Sequence, residues 1–539
     1  MPTKAPPHAA GLLFFSGRLY STPMSSSLQR TLPIIAIGGI LLIHFIAALP
    51  HIQDPFIDGR HHQNWNPPFW LLNAEVTNRV GIAKSFFGVA AASEEAPGAT
   101  PRATSFYASH PQLIGPVTAL WTRIFGYGEW SPRLLSLLIV AGAALLSFFS
   151  LWTAYSWQFG ASFAALLVSL PLIVVYGSML NHEPLVLFFL AFSLWGFTKI
   201  FSRGRGGALI FTAGVMGMAL SDWSGFVFGA LLSILFFVPP LRDSMPGPKW
   251  TVFLVPGAVL AAAGLFLLQT YLQAGMPPLE AFADRYLDLW RYRSGQEATI
   301  PWLLWIRKEL LFANHTYSLP LFAAGAVGLA GALYYGFRRA TPPAQQAVML
   351  FAAAVLIGQV FYLFFLKQAT FVHVYYQYFF SVPIAFGTIW LANRLSAVVA
   401  QERRRNHLFI GVVFVVIAAS SLWSWRVYTN LLRNEMWGDR SDIALVASLS
   451  ELPAEARVVV ADDPTALEWF ANPNITYYAR RPIERHSLEK VPLAPYQIVP
   501  SALAGGLVKL LASGQAYGAP VAAEKLACST HFCLLKLED

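Results

Sequence analysis

Apolar runs of bilayer-spanning length recur through the first 428 of the chain's 539 residues, and they restrict what it can fold into. A helix crossing the hydrocarbon core needs roughly 20 predominantly apolar residues. Runs near that length fall at 32-50, 132-153, 158-176, 184-201, 206-220, 223-239, 250-270, 317-336, 345-366, 371-393 and 408-427. Lipid offers backbone amides no water, so such segments must satisfy their hydrogen bonds internally as helices. The fold class is therefore mainly α, a polytopic membrane protein with about eleven transmembrane helices. The composition agrees, with 56% hydrophobic and only 12% charged residues, against roughly 25% charged in a soluble domain. No internal repeat is evident, which removes the inverted-repeat signature of many secondary transporters.

Charge gives the topology. Residues 1-428 hold 27 basic against 15 acidic side chains, and residues 429-539 hold 10 against 13. The basic excess thus belongs to the membrane part and reads as orientation, not as nucleic-acid binding. With a cytoplasmic N-terminus, the inside loops contain Lys199, Arg203 and Arg205, then Arg242 and Lys249, then Arg338 and Arg339, and finally Arg403, Arg404 and Arg405. The positive-inside rule is met at each of these loops. Residues 1-30 lack a signal-peptide pattern and read as a disordered cytoplasmic leader, followed by a transmembrane domain over 31-428. An odd number of spans then puts residues 429-539 outside. Cys528 and Cys533, the only two cysteines, lie in that tail. They close a disulfide if the tail faces an oxidising compartment, and metal binding by the pair is the less favoured alternative.

Two outside segments are long. One runs from residue 51 to about 131, and the other covers 271-316. The stretch FWLLNAEVTNRVGIAKSFF in the first is helix-like. The Trp, Tyr and Arg mixture of YLDLWRYRSGQEATIPWLLWIRKELLF in the second suits amphipathic helices in the interface. The last hundred or so residues read as a small extracytoplasmic α/β domain. RVVVADD, NITYYARRPI, APYQIVP and FCLLKLED are strand-like, and 439-451 and 501-513 are candidate helices. Asp462 and Asp463 follow the first strand and read better as a strand-end turn than as catalytic groups.

The unusual polar residues collect on the outside. Asp54 and Asp58 lie in QDPFIDGRHH, directly after the first span, with Arg60, His61 and His62 beside them. His110, Asn181, His182, Glu183, Asp222, Lys367, His373, Tyr375 and Tyr376 fall on the same side. No P-loop, GxGxxG or HExxH pattern is present. Each candidate also has a plain structural reading. Asp58 precedes Gly59 in a turn sequence, Glu183 suits a helix start, Asp222 suits an interspan turn, and Lys367 at a span end snorkels. The two adjacent histidines have no spaced third ligand, so an interfacial polar role is favoured over a metal site. Aromatic stripes such as LFFL and YLFF read as lipid-facing or core.

A first span followed by an acidic loop, then FYASHPQLIGPVTALWTRIFGYGEWSPRLLS, NHEPLVLFFLAF and FVHVYYQYFFSVP, resembles the GT-C class of membrane glycosyltransferases. It is most similar to the protein O-mannosyltransferase and aminoarabinose-transferase group, over roughly residues 30-395. The most specific part is Tyr107, His110, Pro111 and Leu113 with Phe125, Gly126, Arg133 and Leu134. The family usually carries an adjacent acidic pair or a single Asp after the first span, whereas Asp54 and Asp58 are four apart, and HPQL replaces HPPL. The WWDxG signature of oligosaccharyltransferases is absent, which argues against en bloc glycan transfer to asparagine.

The resemblance implies transfer of a sugar from a polyprenyl-phosphate carrier to a hydroxyl or amine of a glycan, lipid or protein acceptor, at the periplasmic face of a bacterial plasma membrane. Asp58 would be the general base, with Asp54 in reserve. Arg60, Lys367, His373, Arg291 and Arg293 would neutralise the leaving phosphate. Tyr375 and Tyr376 would hydrogen-bond that phosphate or stack on the sugar, and His110, Glu183 and Asp222 would complete the site. No particular cofactor is implied, and a divalent cation is left open. The rival readings are a flippase of lipid-linked glycans, which would place charges near the membrane midplane, and a non-enzymatic scaffold.

Overall fold

A computed structural model of the chain describes residues 26–53, 56, 65–90, 109–202, 206–244, 252–294, 300–338, 341–400, 402–433, 440–453, 456, 458–462, 477, 484–487, 496–500, 522–528 and 532–538. Most of the described residues are helical. Helix α1 (Ser26–Ala48) begins inside the segment expected as a leader. After a short loop, α2 (Asn66–Val80) starts on two prolines and stops at Gly81, whose φ of 102° ends the helix. Beyond it the chain continues through α3 (Ile114–Phe125), α4 (Trp130–Ala154) and α5 (Trp157–Ser169). The Ser156 hydroxyl caps α5 by accepting the Phe159 N–H. The apolar run at 158-176 is broken at Pro171, which has no amide hydrogen to continue α5 and instead opens α6 (Pro171–Tyr176).

The following helices are α7 (His182–Phe201), α8 (Gly207–Ser221), α9 (Trp223–Leu235), α10 (Pro239–Ser244) and α11 (Leu254–Gln273). Then come α12 (Leu279–Ser294) and α13 (Trp302–Tyr317), the two helices expected in the 271-316 segment. Helices α14 (Leu319–Arg338), α15 (Pro343–Phe365) and α16 (Lys367–Val372) lead to a 3-10 stretch, Val374–Phe380, that continues into α17 (Ser381–Val399). Helix α18 (Glu402–Arg433) and the short α19 (Arg440–Ser448) finish the helical part.

Seven helical stretches among the described residues are long and apolar enough to cross a membrane, namely α4, α7, α11, α14, α15, Val374–Val399 and Arg404–Val427. Thr31–Ile46, α5, α8 and α9 are shorter apolar helices. The chain is an integral membrane protein. The helix surfaces left open are rich in Leu, Ile, Val and Phe, including Leu42, Ile124, Leu260, Val398 and Leu422.

The C-terminal segment adds a five-stranded sheet of order β2-β1-β3-β5-β4. Its strands are β1 (Val458–Asp462), β2 (Glu484–Ser487), β3 (Tyr496–Pro500), β4 (Ala522–Cys528) and β5 (Phe532–Glu538). Strand β1 pairs in parallel with β2 and with the central β3, while β5 pairs antiparallel with β3 and β4. Leu445, Val446 and Leu449 cover this sheet by packing on Val458, Ile498, Phe532 and Leu534. Strands β1, β3 and β5 match the apolar runs of the sequence. The two edges, ERHS and AAEKLAC, were not expected as strands because they are polar, as edge strands often are. The Cys528–Cys533 disulfide is formed, across directly opposed positions of β4 and β5. The expected strand NITYYARRPI, apart from Tyr477, and the expected helix at 501-513 lie outside the described residues.

The tightest helix crossing is that of α14 with α17. A Cβ on Gly328 would stand 1.9 Å from the Gly387 carbonyl oxygen, and one on Gly387 would stand 1.9 Å from that of Gly325. The two backbones therefore touch, the close approach that small residues allow between membrane helices. Replacing Gly387 by Val is expected to cost about 1–3 kcal/mol of stability through overpacking. Gly411→Val, where a Cβ would meet nothing within 4 Å, should leave the melting temperature unchanged. Thermal unfolding of the two purified variants checks this.

Candidate active site at one end of the helix bundle

Asp222 separates α8 from α9, and its extended backbone (φ −163°) makes it the N-cap of α9. Its Oδ2 accepts hydrogen bonds from the Ser224 N–H (3.1 Å) and the Ser224 hydroxyl (2.7 Å). The same oxygen accepts the Tyr362 hydroxyl at 3.1 Å, and Oδ1 takes the His110 Nδ1 at 2.7 Å. Four donors thus converge on one carboxyl that is 2% exposed. The HPQL segment reaches it because two further bonds dock that segment on the α8–α9 turn. The Leu113 N–H donates to the Leu220 oxygen at 3.1 Å, and the Trp223 indole N–H donates to the Ser109 oxygen at 2.9 Å.

The protonation states follow from these contacts. Burial opposes charge on Asp222, but the hydrogen bonds from His110 and Ser224 hold its carboxyl below the usual range. Burial, reinforced by the Arg293 guanidinium, pushes His110 down to about 3. His110 is therefore neutral with its proton on Nδ1, donated to Asp222. Its Nε2 is left as an acceptor and meets the Arg293 guanidinium at the end of α12. A chain runs from Arg293 through His110 to an ionised Asp222.

Around this chain, His182 stacks on His110 with centroids 4.9 Å apart and donates from Nδ1 to the Ser221 oxygen at 2.7 Å. Trp70 of α2 meets the His182 ring edge-on at 5.0 Å and donates to Asn181 at 3.3 Å. Glu183, in the first turn of α7, is buried, and its Oε2 has no hydrogen-bond partner among the described residues. On the other side His373 stacks on Tyr375 at 5.1 Å, and Tyr376 lies 5.7 Å from the Tyr362 ring. Burial and Arg293 push His373 down to about 4. Arg293 is thus a positive charge facing two neutral imidazoles.

The candidates read from the sequence divide accordingly. His110, Glu183, Asp222, Arg293, His373, Tyr375 and Tyr376 share this end of the bundle. Lys367 is spent elsewhere: its ammonium donates to the Ile300 oxygen and lies 4.1 Å from the centroid of the Trp302 ring, tying α16 to the start of α13. Arg291 is exposed and pairs with Asp288 at 3.0 Å. Asp54, Asp58 and Arg60, with His61, His62 and Tyr107, lie outside the described residues. Tyr362 and Ser224 were not anticipated. Tyr362 stands in the YLFF run expected to be core or lipid-facing; it is buried in the core, and its hydroxyl also donates to Asp222. The SDWSG sequence carried a clue to the cap, since an Asp N-cap accepts from the backbone N–H two residues on.

Among the described residues no three His, Cys, Asp or Glu side chains are placed to hold a metal ion. The nearest donors are already engaged, His110 Nδ1 with Asp222 and His182 Nδ1 with a backbone oxygen.

A second polar knot braces the site from α13. Gln377 donates to the Glu309 backbone oxygen at 2.9 Å and to its Oε2 at 2.7 Å. Burial pushes the Glu309 carboxyl up to about 7, partly offset by those bonds.

The helical architecture is similar in fold to solved structures of GT-C membrane glycosyltransferases, the class the sequence resembles. ArnT of Cupriavidus metallidurans, solved bound to undecaprenyl phosphate, matches with a TM-score of 0.58 at 12% identity, covering 94% of this chain and 98% of that one. The oligosaccharyltransferase AglB of Archaeoglobus fulgidus, solved with an inhibitory peptide and a dolichol-phosphate, matches with a TM-score of 0.54 at 12% identity, covering 89% and 70%. At such identities the likeness is one of fold. No protein-family model and no curated protein sequence matches the chain.

Two measurements follow. Asp222→Ala should cost roughly 3–5 kcal/mol by stranding four donors, and Tyr362→Phe about 1 kcal/mol, both read from denaturant unfolding. Glu309 has a folded-state pKa raised from 4.5 to about 7. The folded state keeps its proton where the unfolded state has lost it, so its contribution to stability is full below 4.5 and is lost as the pH rises through about 7. Glu309→Gln should flatten the fall in stability across that window.

Proposed function

We propose that the chain transfers a sugar from a polyprenyl-phosphate carrier to a hydroxyl or amine of an envelope glycan, lipid or protein, on the non-cytoplasmic face of a bacterial plasma membrane. The observation that carries this reading is the Arg293–His110–Asp222 chain. It holds a guanidinium at the rim of a buried polar cluster, at the ends of helices whose open surfaces are apolar. A lipid-linked phosphate needs that combination, an apolar wall for the carrier and a fixed cation for the head group. The GT-C likeness supports it, since ArnT was solved with undecaprenyl phosphate and AglB with dolichol-phosphate. The reading includes eleven membrane crossings over 31-428 and a small extracytoplasmic α/β domain over 429-539, with the site and that domain on one side.

In the proposed reaction the acceptor oxygen or nitrogen attacks the anomeric carbon while the bond from that carbon to the phosphate oxygen breaks. The acceptor proton goes to the Asp58 carboxylate, with Asp54 as the alternative base. The bonding pair leaves with the phosphate, and its added charge is met by Arg293, with Arg60 as a second cation. One displacement inverts the configuration. Tyr375 and Tyr376 line the sugar's position, and neutral His110 fixes the Arg293 guanidinium without competing for its charge. The polar cluster lies at helix ends, not along the length of the spans, which disfavours a carrier moving charges across the midplane.

Transfer by protein reconstituted in nanodiscs, assayed with a panel of polyprenyl-phosphate sugars and envelope acceptors, tests the reading. Asp58→Asn is expected to lower kcat by 10²-fold or more. Arg293→Ala is expected to cost about 10²-fold in kcat/KM by removing a cation from the departing phosphate. Full activity of both Asp58→Asn and Asp54→Asn would remove the base assignment. Lipid flipping without sugar transfer would remove the enzyme.

A further inference from the structure

The chain leaves α2 through a tight turn over residues 82–88 that carries two uncovered rings, Phe86 at 40% and Phe87 at 64% exposure. Both residues have positive φ, 53° and 56°, in the left-handed region that side chains with a Cβ seldom adopt. Two bulky residues in succession there strain the backbone, and water would leave their apolar area uncompensated as well.

The turn is fixed from within and from α11. Within it, the Ser85 N–H donates to the Gly81 oxygen at 3.0 Å, Phe86 to Ala83 at 3.0 Å, Phe87 to Ile82 at 2.9 Å and Gly88 to Ser85 at 3.0 Å. The Val89 N–H goes to Gln112 Oε1 at 2.7 Å. Every N–H from Ser85 to Val89 is therefore satisfied, which is what a backbone in lipid requires. From α11, Gln269 Nε2 donates to the Phe86 oxygen at 2.9 Å, and Gln273 Nε2 donates to the Ser85 oxygen at 3.0 Å. A Cβ on Gly88 would stand 2.0 Å from Gln273 Nε2, so the turn lies directly against that helix.

This attachment sets a depth. Helix α11 is 20 residues long, close to the roughly 20 that a crossing of the hydrocarbon core needs, so its ends stand at the boundaries of that core. Gln269 precedes the last residue of the helix by four positions, about 6 Å along the axis. Leu265, Leu267 and Leu268, just before it, are exposed on this membrane-spanning helix. A segment bonded to Gln269 is therefore level with the last turn of a lipid-facing span. Lys84, exposed beside the rings, has the length to keep its ammonium among the head groups.

We propose that this turn is a membrane-docking element: the Phe86 and Phe87 rings enter the lipid beside the last turn of α11 and hold the end of α2 to the bilayer. The occupant is the bilayer itself, because the helix to which the turn is bonded already faces it. Interfacial elements bury their apolar side chains roughly 5–10 Å into the boundary between head groups and acyl chains, the depth that the bond to Gln269 gives. Nothing in this arrangement depends on the reaction that the site carries out.

The test uses the full-length protein in nanodiscs, with an environment-sensitive fluorophore on one introduced cysteine. Cys528 and Cys533 are bonded to each other and stay unlabelled. Phe87→Cys is compared with Leu268→Cys, on the open face of α11, and with Asp243→Cys, at an exposed charged position of α10. The Phe87→Cys label is expected to emit to the blue of the Asp243→Cys label. It should lose intensity in acyl-brominated lipid as the Leu268→Cys label does, and dissolved iodide should quench it far less than the Asp243→Cys label. Phe86→Cys gives the same reading from the neighbouring ring should Phe87→Cys fail to fold. Iodide quenching equal to that of Asp243→Cys overturns the proposal. Quenching by neither agent also overturns it, because protein and not lipid would then cover the rings.

Discussion

A buried carboxylate, Asp222, organises the polar end of this helix bundle. An ion removed from water is tolerated only when its lone pairs are fully used, because the desolvation cost otherwise exceeds what the fold can offset. Asp222 meets that condition with donors from its own helix cap, from the HPQL segment and from α15. Satisfying it therefore draws three parts of the chain to one point. The neutral His110 then offers its Nε2 to the Arg293 guanidinium, which ties on α12. Positions that look independent in sequence, from residue 110 to residue 362, are one electrostatic unit.

How far this could be read beforehand depends on the solvent each residue meets. The bilayer imposes a length and a composition on every crossing, so the helical class and the two helices of the 271-316 segment were legible, and so was the clustering of His110, Glu183 and Asp222. Tyr362 was not, because one hydroxyl inside an apolar run leaves no mark on periodicity. Lys367 read as a phosphate partner from its place at a span end, yet a backbone oxygen and an indole face take its charge locally. The edge strands ERHS and AAEKLAC escaped notice for the opposite reason. Their strand character comes from a neighbour's ladder, and their side chains carry no apolar alternation.

Among the described residues, Tyr477 joins the C-terminal segment to the bundle, placing a ring against Phe56 and a hydroxyl on the Tyr127 oxygen. The sheet carries its own brace in the Cys528–Cys533 bridge, and a covering layer in α19.

The contact of α14 with α17 bears on how such a chain can change over time. Lipid accepts Leu, Ile, Val and Phe almost interchangeably, so the open faces of these helices can be rewritten letter by letter at little cost. Where the Gly387 backbone rests against Gly325 and Gly328, no side chain can be added without moving a helix. Most of the sequence is thus free to drift while a few contacts hold the shape. An architecture can in this way outlast nearly every recognisable similarity between the sequences that adopt it.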